Sequence, residues 1–414
     1  MNLHSHPKTI HVPLGGGPEF LMATCQVGGE IVLKREMERL WPSFRAAYSR
    51  PGFVTFRLPE RNLLQPGFDP GVVFARTAVF SIGKINGATD DSDAAIAQAA
   101  AEVRRRLGDR QVRWVHVWER DAAVAGTRGQ VRSVCESGDR KPMGSGSPEL
   151  PGLTESALDV MNISPAEPVR YEPGNTDRTR RVAAAIVAEF DDPAMLALAC
   201  RMNPFFPAVM GEDVLDVVLV GPDEWWVGFH RVGSRIGQMA GGLLPLTMPP
   251  DVVSRAWLKM EEALWWSEFP IAPGDRCAEI GSAPGGASQA LLARGVELAG
   301  IDPAEMSPDV LQNPRFTHIR KRAHEVRRRV FHDVQWLTAD MNVAPDYTLD
   351  SVEAIVTHPG CGVRGMILTL KLFQWTLADE IPRFLDRIRD WGFHGVRARQ
   401  LQYNRQEICV VCER

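Results

Sequence analysis

Residues 277–286, Cys-Ala-Glu-Ile-Gly-Ser-Ala-Pro-Gly-Gly, constrain the fold of this chain more than any other stretch. An apolar strand, Cys277–Ile280, runs directly into a glycine turn, and a helix is predicted at Ala287–Ala293. Glycines in such a turn let the backbone approach a ligand closely at the carboxyl end of a sheet strand. The next predicted strand, Glu297–Ile301, delivers Asp302, where an acid can accept hydrogen bonds from ribose hydroxyls. The spacing is not the Gly-x-Gly-x-x-Gly that cradles a pyrophosphate, which weighs against a dinucleotide. A plain tight turn between strand and helix is the competing reading.

The surrounding pattern fits that turn. Across 249–414 strands alternate with helices: a helix at Ser254–Trp266, then strands near Gln335–Thr338, Ala354–Thr357 and Ile367–Leu372. A helix at Leu377–Asp390 and strands at Val396–Leu401 and Glu407–Cys412 follow. Such alternation predicts a mainly parallel, doubly wound sheet. A chain of 414 residues has room for further domains. Residues 18–85 read as a small α+β unit, with strands at Phe20–Cys25, Phe53–Phe56 and Val72–Phe80 and a helix to Leu40. Residues 86–248 read as a second domain. It has an Ala-rich helix at Asp90–Leu107, a strand at Trp114–Trp118, a helix at Thr179–Phe190 and a hairpin of Val214–Val220 with Trp225–Phe229. Pro249-Pro250 is the linker, and residues 120–178 read as irregular.

Charge narrows the partners. Lys and Arg number 47 against 51 Asp and Glu, a net −4, which excludes a uniformly basic nucleic-acid coat but not a local basic face. Arg320–Arg329 is such a local run. The seven cysteines are odd in number and scattered, as in a reducing cytoplasm. Cys409 and Cys412 form a lone pair within an apolar strand, without the second pair of a zinc site. His4, His6 and His11 read as a chance cluster. No secretory signal and no apolar run of membrane-spanning length are expected.

Four further charges stand out. Lys371 lies in the apolar strand Met366-Ile-Leu-Thr-Leu-Lys371, where a lysine is costly unless paired or at the strand's open end. A desolvated lysine can lose its proton near neutral pH, as a general base requires. Asp340 ends a strand, Glu407 opens the last one, and Lys259 lies in Ser254-Arg-Ala-Trp-Leu-Lys259-Met-Glu-Glu262.

In the order Lys259, Asp340, Lys371, Glu407, with Gly281–Gly286 between the first two, these residues resemble the Lys-Asp-Lys-Glu tetrad of the FtsJ-like ribose 2′-O-methyltransferases. The Ser254–Glu262 segment and the ending Arg397-Ala-Arg-Gln-Leu-Gln-Tyr-Asn-Arg-Gln-Glu407 resemble the bacterial members acting on large-subunit ribosomal RNA. The resemblance implies a Rossmann-like S-adenosylmethionine-dependent methyltransferase domain over 249–414. Before it would come a ferredoxin-like unit (18–85) and a THUMP-like RNA-binding domain (86–248).

The resemblance further implies S-adenosylmethionine held by Gly281, Ser282, Ala283, Pro284, Gly285 and Gly286, with Asp302 toward its ribose and Asp340 near its methionine end. The acceptor would be a ribose 2′-hydroxyl of RNA, in 23S ribosomal RNA. Lys371 would be the base, oriented by Asp340, with Lys259 and Glu407 positioning the ribose and no metal. Lys321 and Arg322 stand where relatives carry acids toward the adenine. Two alternatives remain open from the residues: a non-catalytic RNA-binding or ribosome-assembly factor with a divergent pocket, and a methyltransferase acting on another RNA.

Overall fold

The computed structural model describes residues 18–59, 67–88, 90–120, 176–190 and 207–414. His4, His6 and His11, and nearly all of the 120–178 stretch, lie outside them. Two seven-stranded sheets organise the described residues.

The amino-terminal sheet is built from β1 (Phe20–Thr24), β2 (Arg45–Arg50), β3 (Phe53–Arg57), β4 (Thr77–Asn86), β5 (Trp114–Glu119), β6 (Asp213–Gly221) and β7 (Glu224–Arg231). Its order is β2-β3-β1-β4-β7-β6-β5, so residues on both sides of position 85 share one sheet through the β4–β7 pair. Only β5 and β6 pair in parallel. Helix α1 (Glu30–Leu40) buries Val32, Leu33 and Met37. Helix α2 (Asp93–Leu107) begins where the Ser92 hydroxyl accepts the Ala95 N–H, and ends at Gly108, whose φ of 62° favours glycine. Helix α3 (Asp177–Ala188) starts on a reciprocal cap between Thr176 and Thr179. Trp225 and Trp226 are buried in the hairpin.

The carboxy-terminal sheet contains β8 (Arg276–Ile280), β9 (Glu297–Ile301), β10 (Phe316–Ile319), β11 (Trp336–Ala339), β12 (Gly365–Lys371), β13 (His394–Arg399) and β14 (Glu407–Glu413). Its order is β10-β9-β8-β11-β12-β14-β13, parallel up to β12 and antiparallel beyond it. Helices α4 (Ala256–Ser267), α5 (Gly286–Leu292), α6 (Pro308–Leu311), α7 (Pro345–Val356) and α8 (Ile381–Asp390) complete this part. The strand order reverses at β8, the place where open α/β sheets bind ligands beyond the strands' carboxyl ends.

The structure departs from the sequence reading in two informative places. The strand expected at Val72–Phe80 begins only at Thr77. Val72, Val73, Phe74 and Ala75 are apolar because they fill one core together with Leu370, Phe384 and Ile408 of the carboxy-terminal part. Their backbone is held by Glu36, whose carboxylate accepts N–H bonds from Val73 (2.8 Å) and Phe74 (3.2 Å). Ala354–Thr357, expected as a strand, is the last turn of α7, with Leu349, Val352, Ile355 and Val356 buried at helical spacing. Short β-branched runs do not distinguish the two by pattern alone.

Close packing explains the second of the paired glycines. A Cβ added at Gly286 would lie 2.2 Å from the Ser254 hydroxyl and 2.6 Å from the Ser254 carbonyl oxygen. Gly286→Ala is therefore expected to cost about 1–3 kcal/mol through forced backbone movement, measurable as a lower midpoint in urea unfolding with an unchanged slope.

Candidate active site

The four charged residues meet beyond the carboxyl ends of β11 and β12. Asp340 follows the last residue of β11. Lys371 ends β12 and Glu407 opens β14, and these two are direct partners across the antiparallel pair. Lys259 reaches in from α4. Lys259 Nζ lies 2.5 Å from Asp340 Oδ2 and 3.2 Å from Glu407 Oε1. Lys371 Nζ lies 2.9 Å from Asp340 Oδ1 and bonds to Glu407 Oε2. Each cation thus touches both anions, closing a four-membered ring with no net charge. The side chains are between 7% and 19% exposed, so the ring replaces most of the solvation each ion has lost.

The ring shifts the ionisation of Asp340 and Lys371. Burial by itself would push Asp340 up, but the two ammonium groups outweigh it and hold this carboxyl below its ordinary range. For Lys371, burial favours the neutral amine, yet Asp340 and Glu407 outweigh burial and raise its pKa above the usual lysine value. Desolvation favours loss of the proton, but the pairing of Lys371 opposes it. The partners of Lys371, which the strand pattern does not reveal, keep it charged.

The glycine loop lies against the ring. Gly281 has φ +80°, and a Cβ there would stand 2.7 Å from the Asp340 carbonyl oxygen. Gly285 has φ +119° and packs against Val310 and Met306. Ser282 Oγ lies 3.5 Å from Met306 Sδ, and the Ala283 N–H donates to Asp302 Oδ2 at 3.1 Å. The other Asp302 oxygen accepts the Ala304 N–H at 2.8 Å. Pro284 follows Ala283 through a cis peptide bond. The hydroxyl of Ser254, beside Gly286, is buried and has no hydrogen-bond partner among the described residues. An orphaned hydroxyl against a glycine loop is a feature a polar ligand would satisfy. Lys321 and Arg322 are exposed, as are Arg320, Arg327 and Arg329.

One support of the ring, Glu262, escapes the sequence reading. Glu262, one turn beyond Lys259 on α4, is buried and accepts the N–H groups of Gln402 (2.8 Å) and Tyr403 (2.9 Å). It thereby fixes the loop that delivers Glu407. Asn404 in that loop donates to Glu407 Oε1 at 3.4 Å. The only signal for Glu262 was a second carboxylate on a tryptophan-rich helix. Glu279, on β8 beneath the loop, accepts from the Ser288 hydroxyl at 2.5 Å. Burial, partly offset by that bond and reinforced by Asp340 and Asp302, raises its pKa to about 8.

The raised pKa of Glu279 has a definite sign in stability. Between the unfolded carboxyl pKa and about 8 the folded state holds a proton that the unfolded state has lost. The contribution of Glu279 to stability therefore falls as pH rises through that window. Glu279→Gln removes this titration. The melting temperature of the variant minus that of wild type should grow steadily from pH 5 to pH 8, and a constant difference would show that Glu279 does not titrate there.

The sequence is similar to those of known proteins. Residues 252–399 match the family of FtsJ-like methyltransferases. The Ribosomal RNA large subunit methyltransferase M of Xylella fastidiosa (strain 9a5c) is 30% identical over 222 residues, 51% of this chain and 60% of its own length. The protein of that name from Halorhodospira halophila is 31% identical over 190 residues, 45% of this chain and 54% of its own. The chain spans between a half and 60% of the curated relatives it matches. Among solved structures, the fibrillarin pre-rRNA processing protein of Methanococcus jannaschii overlaps 48% of this chain and 82% of its own at 10% identity, with a TM-score of 0.30. The stretch that matches the FtsJ-like methyltransferase family, residues 252–399, holds the glycine loop at the reversal point of the sheet and three of the four ring charges, Lys259, Asp340 and Lys371.

Proposed function

We propose that the chain is an S-adenosylmethionine-dependent RNA methyltransferase that modifies a ribose 2′-hydroxyl, with 23S ribosomal RNA as its substrate in the cytoplasm. The observation that carries this reading is the closed ring of Lys259, Asp340, Lys371 and Glu407 next to the glycine loop. The division into 18–85, 86–248 and 249–414 belongs to the same proposal, with the first two parts, ferredoxin-like and THUMP-like, docking RNA. No helix of the described residues is long and apolar enough to cross a membrane.

In this reading Gly281–Gly286 and the Ser254 hydroxyl hold the methyl donor, with Asp302 toward its ribose and Asp340 toward its methionine end. S-adenosylmethionine supplies an electrophilic methyl on a positively charged sulfur. Lys259 and Glu407 position the acceptor ribose. Lys371 Nζ takes the hydroxyl proton, and for that it must first be neutral. The ring carboxylates oppose neutralisation, so the competent amine is a minority near pH 7 and grows about tenfold for each pH unit. Most of the acceleration then comes from positioning and from the fixed charges of the ring.

These roles fix the expected kinetics. Turnover should climb with a slope near one in log rate against pH between pH 6 and pH 9, because the raised pKa of Lys371 lies above that window. Lys371→Ala should lower turnover by roughly 10²–10⁴ while calorimetric binding of the donor or its demethylated product persists. Lys371→Arg should be equally inactive, since a guanidinium keeps its proton. A flat pH profile or an active Lys371→Arg would remove Lys371 as the base.

Substrate identity has its own test. Mass mapping of ribose methylation in RNA from cells lacking the protein should show one 23S site lost. An unchanged map together with retained RNA binding would favour the non-catalytic assembly factor. The exposed Arg320, Lys321, Arg322, Arg327 and Arg329 suit RNA phosphates. Replacing them with glutamate should weaken RNA binding and reduce its salt dependence without altering donor affinity.

A further inference from the structure

We propose that His116, Asp216 and His230 bind a single divalent transition-metal ion, zinc by preference, on the amino-terminal sheet. His116 on β5 and Asp216 on β6 are direct partners in the parallel pair, so their side chains share one face. His230 comes from the neighbouring β7. All three residues are buried, and their ligating atoms lie within 4.8 Å of one another.

Hydrogen-bond chemistry specifies what these atoms require of one another. His230 Nε2 lies 2.9 Å from the carbonyl oxygen of Gly237, which can only accept. That nitrogen therefore carries a hydrogen, an arrangement that fixes the tautomer of many metal-ligating histidines. His230 Nδ1 then faces Asp216 Oδ2 at 2.5 Å, and a positive centre must lie between them. A proton can fill that place, but it leaves His116 unexplained. His116 Nδ1 is buried, stands 3.8 Å from Asp216 Oδ1, and has no hydrogen-bond partner among the described residues. One metal ion satisfies all three groups together.

The geometry needs little adjustment. Zinc with ligand distances of about 2.0–2.2 Å places its ligand atoms roughly 3.3 Å apart in a tetrahedron. With Asp216 facing His230 through Oδ2 and His116 through Oδ1, the first contact would open and the second close, each by less than about 1 Å, and the two imidazole nitrogens start within 4.8 Å of each other. Two imidazoles and a carboxylate suit zinc among the divalent ions. A water would take the fourth position of a tetrahedral zinc held by three side chains. Metal entry expels the proton between His230 and Asp216, so one proton leaves for each ion bound. Because β5 is the edge strand among the described residues and pairs there with β6, the ion would reinforce that pair and tie the edge to β7 as well.

Cobalt and zinc titrations of the full-length, chelator-stripped protein test the site. Cobalt should bind at one equivalent with visible ligand-field bands and no thiolate charge-transfer band, which separates this site from the cysteines. Zinc should raise the melting temperature by several degrees. Both effects should vanish in His116→Ala. His116→Gln serves the same purpose if the alanine variant unfolds. Both effects should persist when His4, His6 and His11 are replaced together by alanine. No stoichiometric binding by wild type, undiminished binding by the His116 variants, or loss of binding in the His4/His6/His11 variant would each overturn the proposal.

Discussion

The ring of two lysines and two carboxylates is the constraint on which the rest of the site depends. Each ion taken from water costs several kcal/mol, and no single partner would offset that at this burial. With Lys259 and Lys371 each touching both Asp340 and Glu407, every charge has two opposite neighbours. The arrangement requires four backbones to arrive at one place: α4, the ends of β11 and β12, and the start of β14. Removing any one member strands a buried charge, so the ring ties the ends of these elements to one another.

The most exacting of these arrivals is Glu407, because a loop of seven residues must turn β13 back into β14 in the right register. The loop's first five residues, Gln400–Asn404, are buried and their backbone N–H groups are paired. Gln400 donates its N–H to Val73 at 2.8 Å, Leu401 to Asn404, and Gln402 and Tyr403 to Glu262. Val73 is itself held by Glu36 on α1. A chain of hydrogen bonds therefore runs from the first helix of the protein to the last member of the ring, through an apolar core that both parts share. The amino-terminal sheet supports the site mechanically, whatever else it binds.

This explains what the sequence could and could not disclose. The glycine loop, its flanking strand and helix, and most of the carboxy-terminal strands follow from local pattern, since each is set by its own residues. The four charges were legible through order and through the oddity of a lysine ending an apolar strand. The supports were not. Val72–Ala75 resemble a strand because burial against a distant segment leaves the same apolar signature as burial in a sheet. Glu36 and Glu262 look like ordinary helix-face acids, and only the tertiary fold reveals the backbone groups they serve. The ionisation of Lys371 depends on partners 31 and 36 residues away in sequence, so its sign was not readable from its strand alone.

Buried acids near the site fall into two kinds, and the difference shapes the field there. Asp340 stays charged because two ammonium groups face it. Glu262 accepts from two backbone N–H groups and Glu279 from a hydroxyl, and burial raises them to about 7 and about 8, the charge of Arg76 only partly offsetting it at Glu262. Glu279 is raised further by the charge on Asp340; the ionised member of the ring thus helps to keep its neighbour neutral. Near pH 7 Glu279 therefore adds little negative charge beneath the glycine loop. The buried charge there is concentrated in a ring whose sum is zero. A neutral ring has a short-range field, strong at the atoms it touches and weak beyond them.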